Sequence, residues 1–216
     1  MSEPTAPVLF IGDSVTDAGR DRSDPDDLGG GYPALVAASY AAAARPGSSD
    51  GVCFVNRGIS GNRVRDLRVR WRQDCLDLAP ELVSIMIGVN DMWRRYDAGD
   101  PTPVEDFERD YRAILTDTVD NGAPRLVLVE PFLLPVREEQ RAWRTDLDPK
   151  IAVVRQLAED YSATLVPLDE VLTRAAATRA PADLAGDGVH PTPEGHAVIA
   201  RLWSDVVGAV VATERR

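Results

Sequence analysis

Histidine is scarce in this chain: only His190 and His196 are present. If a serine or cysteine nucleophile needs an imidazole base, the choice is between two residues. His196 falls inside a stretch with helical spacing, whereas His190 precedes it in Asp187-Gly188-Val189-His190, where a turn can bring a carboxylate to the imidazole Nδ1. That arrangement suits a general base and the group that orients it. Taken alone, the same four residues also suit a plain Asp-Gly turn ahead of a helix cap.

A nucleophile is offered by Gly12-Asp13-Ser14, placed where an apolar run ends and the chain must turn toward a helix. Such a turn exposes a serine Oγ at the carboxyl edge of a sheet. A helix-capping hydroxyl is the alternative role for Ser14. Asp13 or Asp17 can instead serve phosphotransfer or bind magnesium, but no second aspartate lies two positions beyond Asp13. The chain's one lysine, Lys150, sits in no matching motif. Acyl transfer also needs donors aimed at a developing oxyanion. Asn56-Arg57-Gly58-Ile59-Ser60-Gly61 can present backbone N–H groups, and Gly88-Val89-Asn90-Asp91 can present the Asn90 side-chain amide.

These residues must be carried by regular elements. Strand-length apolar runs recur at Val8–Gly12, Val52–Asn56, Leu82–Gly88, Leu126–Glu130 and Thr164–Pro167, separated by amphipathic stretches. Near-continuous apolar strands alternating with helices predict an α/β fold, a parallel sheet covered on both faces by right-handed crossovers. In such a sheet ligands bind off the carboxyl ends of the strands, where Asp13-Ser14, Arg57–Asn62, Val89–Trp93 and Pro131–Phe132 fall. Val64, Leu67, Trp71, Cys75 and Leu78 share one helical face, which leaves Arg63, Arg65, Arg68, Arg70 and Arg72 for a solvated one. The last helix is expected to start at an N-cap Thr192 followed by Pro193, with a stripe of Ile199, Leu202, Trp203, Val206, Val207 and Val210 packed across the sheet. Irregular segments are expected at 21–31, 45–51, 97–103, 131–138 and 180–190.

Composition sets the outer limits. A length of 216 residues, 44% hydrophobic and 27% charged, suits a single folded domain over 1–216. With 35 acidic against 24 basic residues, the net charge of −11 disfavours nucleic acid and anionic membrane surfaces as partners. Cys53 and Cys75 lack metal-ligand or CxxC spacing and are expected to be buried fillers. The first residues carry no signal-like segment and no run approaches a membrane span, so a cytoplasmic location is expected.

Ser14, Gly61, Asn90 and the Asp187/His190 pair occur in this order at successive strand ends, and there the chain resembles the SGNH, or GDSL-type, hydrolases. The four blocks of that family appear as Gly12-Asp13-Ser14, Gly58-Ile59-Ser60-Gly61, Gly88-Val89-Asn90-Asp91 and Asp187-Gly188-Val189-His190. Val15 stands where the nominal motif has leucine. The surrounding residues 9–20, 58–67 and 83–97 look like the carbohydrate-esterase branch that includes GDSL-type acetylxylan esterases. The likeness is strong over about the first 100 residues and the last 30 and weak between them.

The resemblance implies a flavodoxin-like three-layer α/β/α sandwich with five parallel strands, and hydrolysis without metal or organic cofactor. It implies Ser14 as nucleophile, His190 as base and Asp187 as its orienter. The oxyanion hole would comprise the Ser14 and Gly61 N–H groups and the Asn90 amide. The expected substrate is a short-chain, foremost acetyl, ester on a small molecule or oligosaccharide, with Asp13, Trp93 and Tyr96 as substrate contacts. Trp93 and Tyr96 serve equally well as packing groups. A general acyl esterase, thioesterase or lysophospholipase uses the same residues, and a silent carbohydrate-binding module is the alternative from another class. Family members also self-associate, so a homo-oligomer is compatible.

Overall fold

The computed structural model describes residues 6–43, 52–122 and 124–214. Five strands, β1 (Val8–Gly12), β2 (Phe54–Asn56), β3 (Leu82–Met86), β4 (Arg125–Val129) and β5 (Thr164–Val166), form one parallel sheet in the order β2-β1-β3-β4-β5. Register runs Val8 against Phe54 and Leu82, and Leu82 against Arg125. Every residue of β1 and β3 is buried, the expected consequence of helices on both faces.

Alternation along the strands sends side chains into two cores. Phe10, Met86, Val127 and Val129 pack with Tyr32 and Val36 of α2 (Tyr32–Ala43), Leu168 and Leu172 of α7 (Leu168–Ala176), and Ile199 and Trp203 of α9 (Pro193–Glu214). Leu9, Ile11, Val83, Ile85 and Leu128 pack on the other face with α3 (Val64–Asp74), α5 (Val104–Asp120) and α6 (Gln140–Asp160). Three short helices, α1 (Ser14–Asp17), α4 (Val89–Asp97) and α8 (Pro181–Leu184), sit in the connections. Val89 and Met92 of α4 join Trp143, Leu147 and Val189 in a third apolar cluster.

The last helix forms as its sequence predicts. Thr192 Oγ1 accepts the Gly195 N–H at 3.1 Å, the N-cap bond, and Ile199, Trp203 and Val207 are buried. Trp203 Nε1 reaches through the core to Ser84 Oγ at 2.9 Å. The side chain of Val210 and the expected loop 45–51 lie outside the described residues.

Three expectations are corrected. The third strand stops at Met86, because Gly88 at φ 129° turns the chain into α4. Cys75 is buried but Cys53, just ahead of the edge strand β2, is exposed. The arginine face of α3 is not wholly solvated. Arg63 is 6% exposed, and it bonds to the Asp100 carbonyl and carboxylate. Arg70 is drawn inward by the carbonyls of Gly12 and Arg57 at 3.2 and 2.8 Å. A guanidinium has five donors, so strand-end carbonyls compete with water for it.

Candidate active site

The sheet order places the chain's reversal between β1 and β3, where an open α/β sheet leaves a crevice at its carboxyl edge. Strands β1 and β3 meet there without room for a side chain: a Cβ on Gly12 would lie 2.2 Å from the Met86 carbonyl. The next residue, Asp13, caps α1 by accepting the Val15 N–H at 3.0 Å. Ser14 is therefore the first residue of a helical turn, where a backbone N–H has no intrahelical partner.

Ser14 Oγ lies 3.0 Å from His190 Nε2, and His190 Nδ1 lies 2.7 Å from Asp187 Oδ2. The other oxygen of Asp187 accepts the backbone N–H groups of His190 and Val189 at 2.7 and 2.9 Å. Burial raises the Asp187 pKa, but the His190 ring and these two N–H groups outweigh it and hold the carboxyl below its usual range. An ionised Asp187 can only accept, so Nδ1 carries the proton and Nε2 is free to accept from Ser14 Oγ.

The second block is pinned from below. Asn56 donates to the carbonyls of Thr16 and Leu28 at 2.7 and 2.8 Å and accepts the Gly58 N–H at 2.8 Å. A Cβ on Gly58 would lie 2.3 Å from the Asp17 nitrogen, so only glycine lets this loop press against α1. Asp17 Oδ2 accepts from both the N–H and the hydroxyl of Ser60, at 2.9 and 2.8 Å. Gly61 follows at φ 84°.

From α4, Asn90 Nδ2 donates to the Asn62 carbonyl at 3.0 Å, while Arg94 Nη2 approaches its Oδ1 at 3.4 Å. Because a guanidinium only donates, the two contacts agree on which end of the amide is nitrogen. Arg94 is itself held by Asp97.

A cavity of about 710 Å³ opens over these groups, lined by Ser14, Gly61, Asn90, Trp93, Arg94, Asp97, His190 and His196 among others. Trp93 is 5.6 Å from the His190 ring, centroid to centroid. Two of the anticipated substrate contacts are placed elsewhere. Asp13 is 1% exposed, its carboxyl engaged in the helix cap, and burial pushes its pKa up to about 7. Tyr96 stacks on Trp143 at 4.8 Å instead of lining the cavity.

Sequence reading gives no site role to Arg70 or to the Asn56 side chain; it weighs Asp17 only as a phosphotransfer or metal-binding aspartate and His196 only as the other possible base. Asp17, one helical turn after Ser14, carried a usable signal; the role of Arg70 depends on carbonyls remote in sequence and carried none. His196 Nδ1 accepts the Tyr32 N–H at 3.2 Å, tying α9 to the start of α2. Burial lowers its pKa to about 4, so it stands neutral with its proton on Nε2.

Residues 10–198 match the model of the GDSL-like lipase/acylhydrolase family. The chain is 38% identical over 208 residues to an acetylxylan esterase of Geobacillus stearothermophilus, covering 93% of each. A crystal structure of an acetylxylan esterase from that organism superimposes with a TM-score of 0.85 at 36% identity, covering 96% of this chain and 97% of that one. A catalytic mutant of the same esterase, with histidine replaced by alanine, gives 0.85 at 35% identity over the same shares. With its α/β fold and five parallel strands, this chain belongs to the GDSL-like lipase/acylhydrolase family and is a carboxylic ester hydrolase.

Proposed function

We propose that this chain is a serine esterase that removes acetyl groups from carbohydrate, xylo-oligosaccharides foremost, through a Ser14–His190–Asp187 triad. The observation that carries the reading is the continuous bond path from Ser14 Oγ through the His190 ring to Asp187, at 3.0 and 2.7 Å. Related solved structures include catalytic mutants of the Geobacillus esterase in which a serine, a histidine or an aspartate is replaced by alanine. Others describe that esterase as acting on acetyl-xylooligosaccharide.

In this mechanism His190 Nε2 takes the Ser14 proton as Oγ bonds to the acetyl carbonyl carbon, and the carbonyl electron pair moves onto oxygen. The Ser14 and Gly61 N–H groups and Asn90 Nδ2 receive that oxyanion. Each well-placed donor contributes about 3 kcal/mol to the transition state. Collapse expels the sugar alkoxide, which takes the proton from His190. Water then attacks the acetyl-serine with the same imidazole as base, releasing acetate and restoring Ser14. Trp93, on the cavity wall beside His190, supplies a flat apolar face for a sugar ring. The polar Arg94 and Asp97 alongside it suit hydroxyl groups better than a long acyl chain.

The test is initial rates on p-nitrophenyl esters from acetate to decanoate and on acetylated xylo-oligosaccharides, with Ser14→Ala beside the wild type. A steep preference for acetate, deacetylation of the oligosaccharide and loss of both in the variant are expected. Faster turnover of decanoate would overturn the substrate class. Unchanged activity in Ser14→Ala, or no labelling of Ser14 by a fluorophosphonate, would overturn the triad.

A further inference from the structure

The protein is strongly acidic, so an arginine without a carboxylate partner is unexpected. Among the described residues almost every arginine forms an ion pair, Arg22 with Asp17 and Arg70 with Asp74 included. Arg201 lies exposed on α9 and forms none. Arg20 and Arg57 form none either, and these two line the same cavity, about 310 Å³ in volume, with Arg22, Ser23, Gln73 and Asp74.

Arg20 is only 9% exposed. Its Nη2 donates to the Gly58 carbonyl at 3.1 Å, and its Nε is buried without a partner. Arg57 is half-buried, and the one bond of its side chain is from Nη1 to the adjacent Asn56 carbonyl at 3.2 Å. The nearby acids are committed: Asp17 to Arg22 and Ser60, Asp74 to Arg70, and Asp27 to the N–H groups of Asp21 and Gly29. Burial lowers the Arg20 pKa, and Arg57, Arg22 and Arg70 push the same way against Asp17. A guanidinium removed from water without a counterion is costly, and a planar fork of donors is matched by a carboxylate or a phosphate.

We propose that this cavity is an anion-binding site in which Arg20 and Arg57 together hold a carboxylate or a tetrahedral oxyanion. It is distinct from the substrate cavity. The loop from Arg57 to Gly61 contributes Arg57 and Ile59 to this site and Ser60 and Gly61 to the other. The carboxylate of an acidic sugar and inorganic phosphate share the recognised chemistry.

Calorimetric titration of the full chain with sodium phosphate and with sodium glucuronate, at fixed ionic strength, tests it. Saturable binding of one anion per chain is expected for at least one of the two, and which one saturates identifies the source. Binding should weaken about 10- to 100-fold in Arg57→Gln, the size of a charge-assisted bond, and stay unchanged in Ser14→Ala. Gln73→Glu, on the cavity's exposed side, supplies an internal carboxylate, so it should abolish binding and raise the melting temperature. Absence of saturation by both anions in the wild type would overturn the proposal. So would undiminished binding in folded Arg57→Gln or in Gln73→Glu.

Discussion

Asp91, beside Asn90 on α4, is fully buried, and replacing it by asparagine should stabilise the protein in a pH-dependent way. Its Oδ2 accepts the Val64 N–H at 3.1 Å, while Oδ1 has no partner among the described residues. Burial pushes its pKa from 3.8 up to about 7; the Val64 N–H, Lys150 and Arg63 offset part of this and Asp13 adds to it. The sign follows from linkage. Between pH 4 and 7 the unfolded chain has released this proton and the fold still holds it, so stability falls as pH rises through that window. Three pKa units at about 1.36 kcal/mol each amount to about 4 kcal/mol above pH 7. Asp91→Asn cannot ionise and keeps an acceptor for Val64. Its advantage should be about 1 kcal/mol at pH 4.5 and about 4 kcal/mol at pH 8.5. In urea unfolding followed by tryptophan fluorescence, with a slope of about 2 kcal/mol/M, the midpoint should rise by about 2 M at pH 8.5. An equal shift at both pH values, or a variant less stable at pH 8.5, would refute the reasoning. The Asp13→Asn change should act in the same direction but not additively, because the Asp13 carboxylate is one of the groups that raise the Asp91 pKa.

His196 carries the opposite sign. Its folded pKa of about 4 lies below the unfolded 6.5, so the fold loses up to about 3 kcal/mol as pH falls through that range, and His196→Asn should remove the dependence. At neutral pH, His196→Phe, lacking an acceptor for the Tyr32 N–H, should cost about 1–3 kcal/mol by thermal melting. Asn90→Ala should lower kcat about 100-fold with little change in KM, through loss of one oxyanion donor. Asp187→Asn should lower kcat by about three orders of magnitude while melting near the wild type, since an amide favours the wrong imidazole tautomer. Trp93→Ala should raise KM for acetylated xylo-oligosaccharide and leave that for p-nitrophenyl acetate unchanged.

Much of this architecture is legible along the chain. The strands announce themselves because a parallel strand covered on both faces is apolar throughout, as in Val8-Leu9-Phe10-Ile11. Ser14, Gly61, Asn90 and His190 fall at strand ends or just before a helix, so knowing the strands locates them. Burial of polar groups is harder to read, because it depends on partners from distant segments. Arg70 looks like any arginine on a helix face until the carbonyls of Gly12 and Arg57 arrive to receive it. Asp13 adjoins Ser14 in sequence, yet its helix-capping bond turns the carboxyl under the turn. Tyr96 follows Trp93 by three residues on α4, but Trp143 of α6 supplies a flat surface that takes it from the cavity.

The unequal burial of the two thiols provides a native reporter. Cys53 stands exposed at the rim of the edge strand, whereas Cys75 is sealed in the core, where burial pushes its pKa up to about 12. A thiolate is the species that alkylates, so a maleimide should modify the folded protein once, at Cys53, without any engineered substitution. A dye at that address reports on the sheet edge while leaving the cavity untouched. The second modification must wait for the helix layer over Cys75 to open, so its rate measures how often that layer separates.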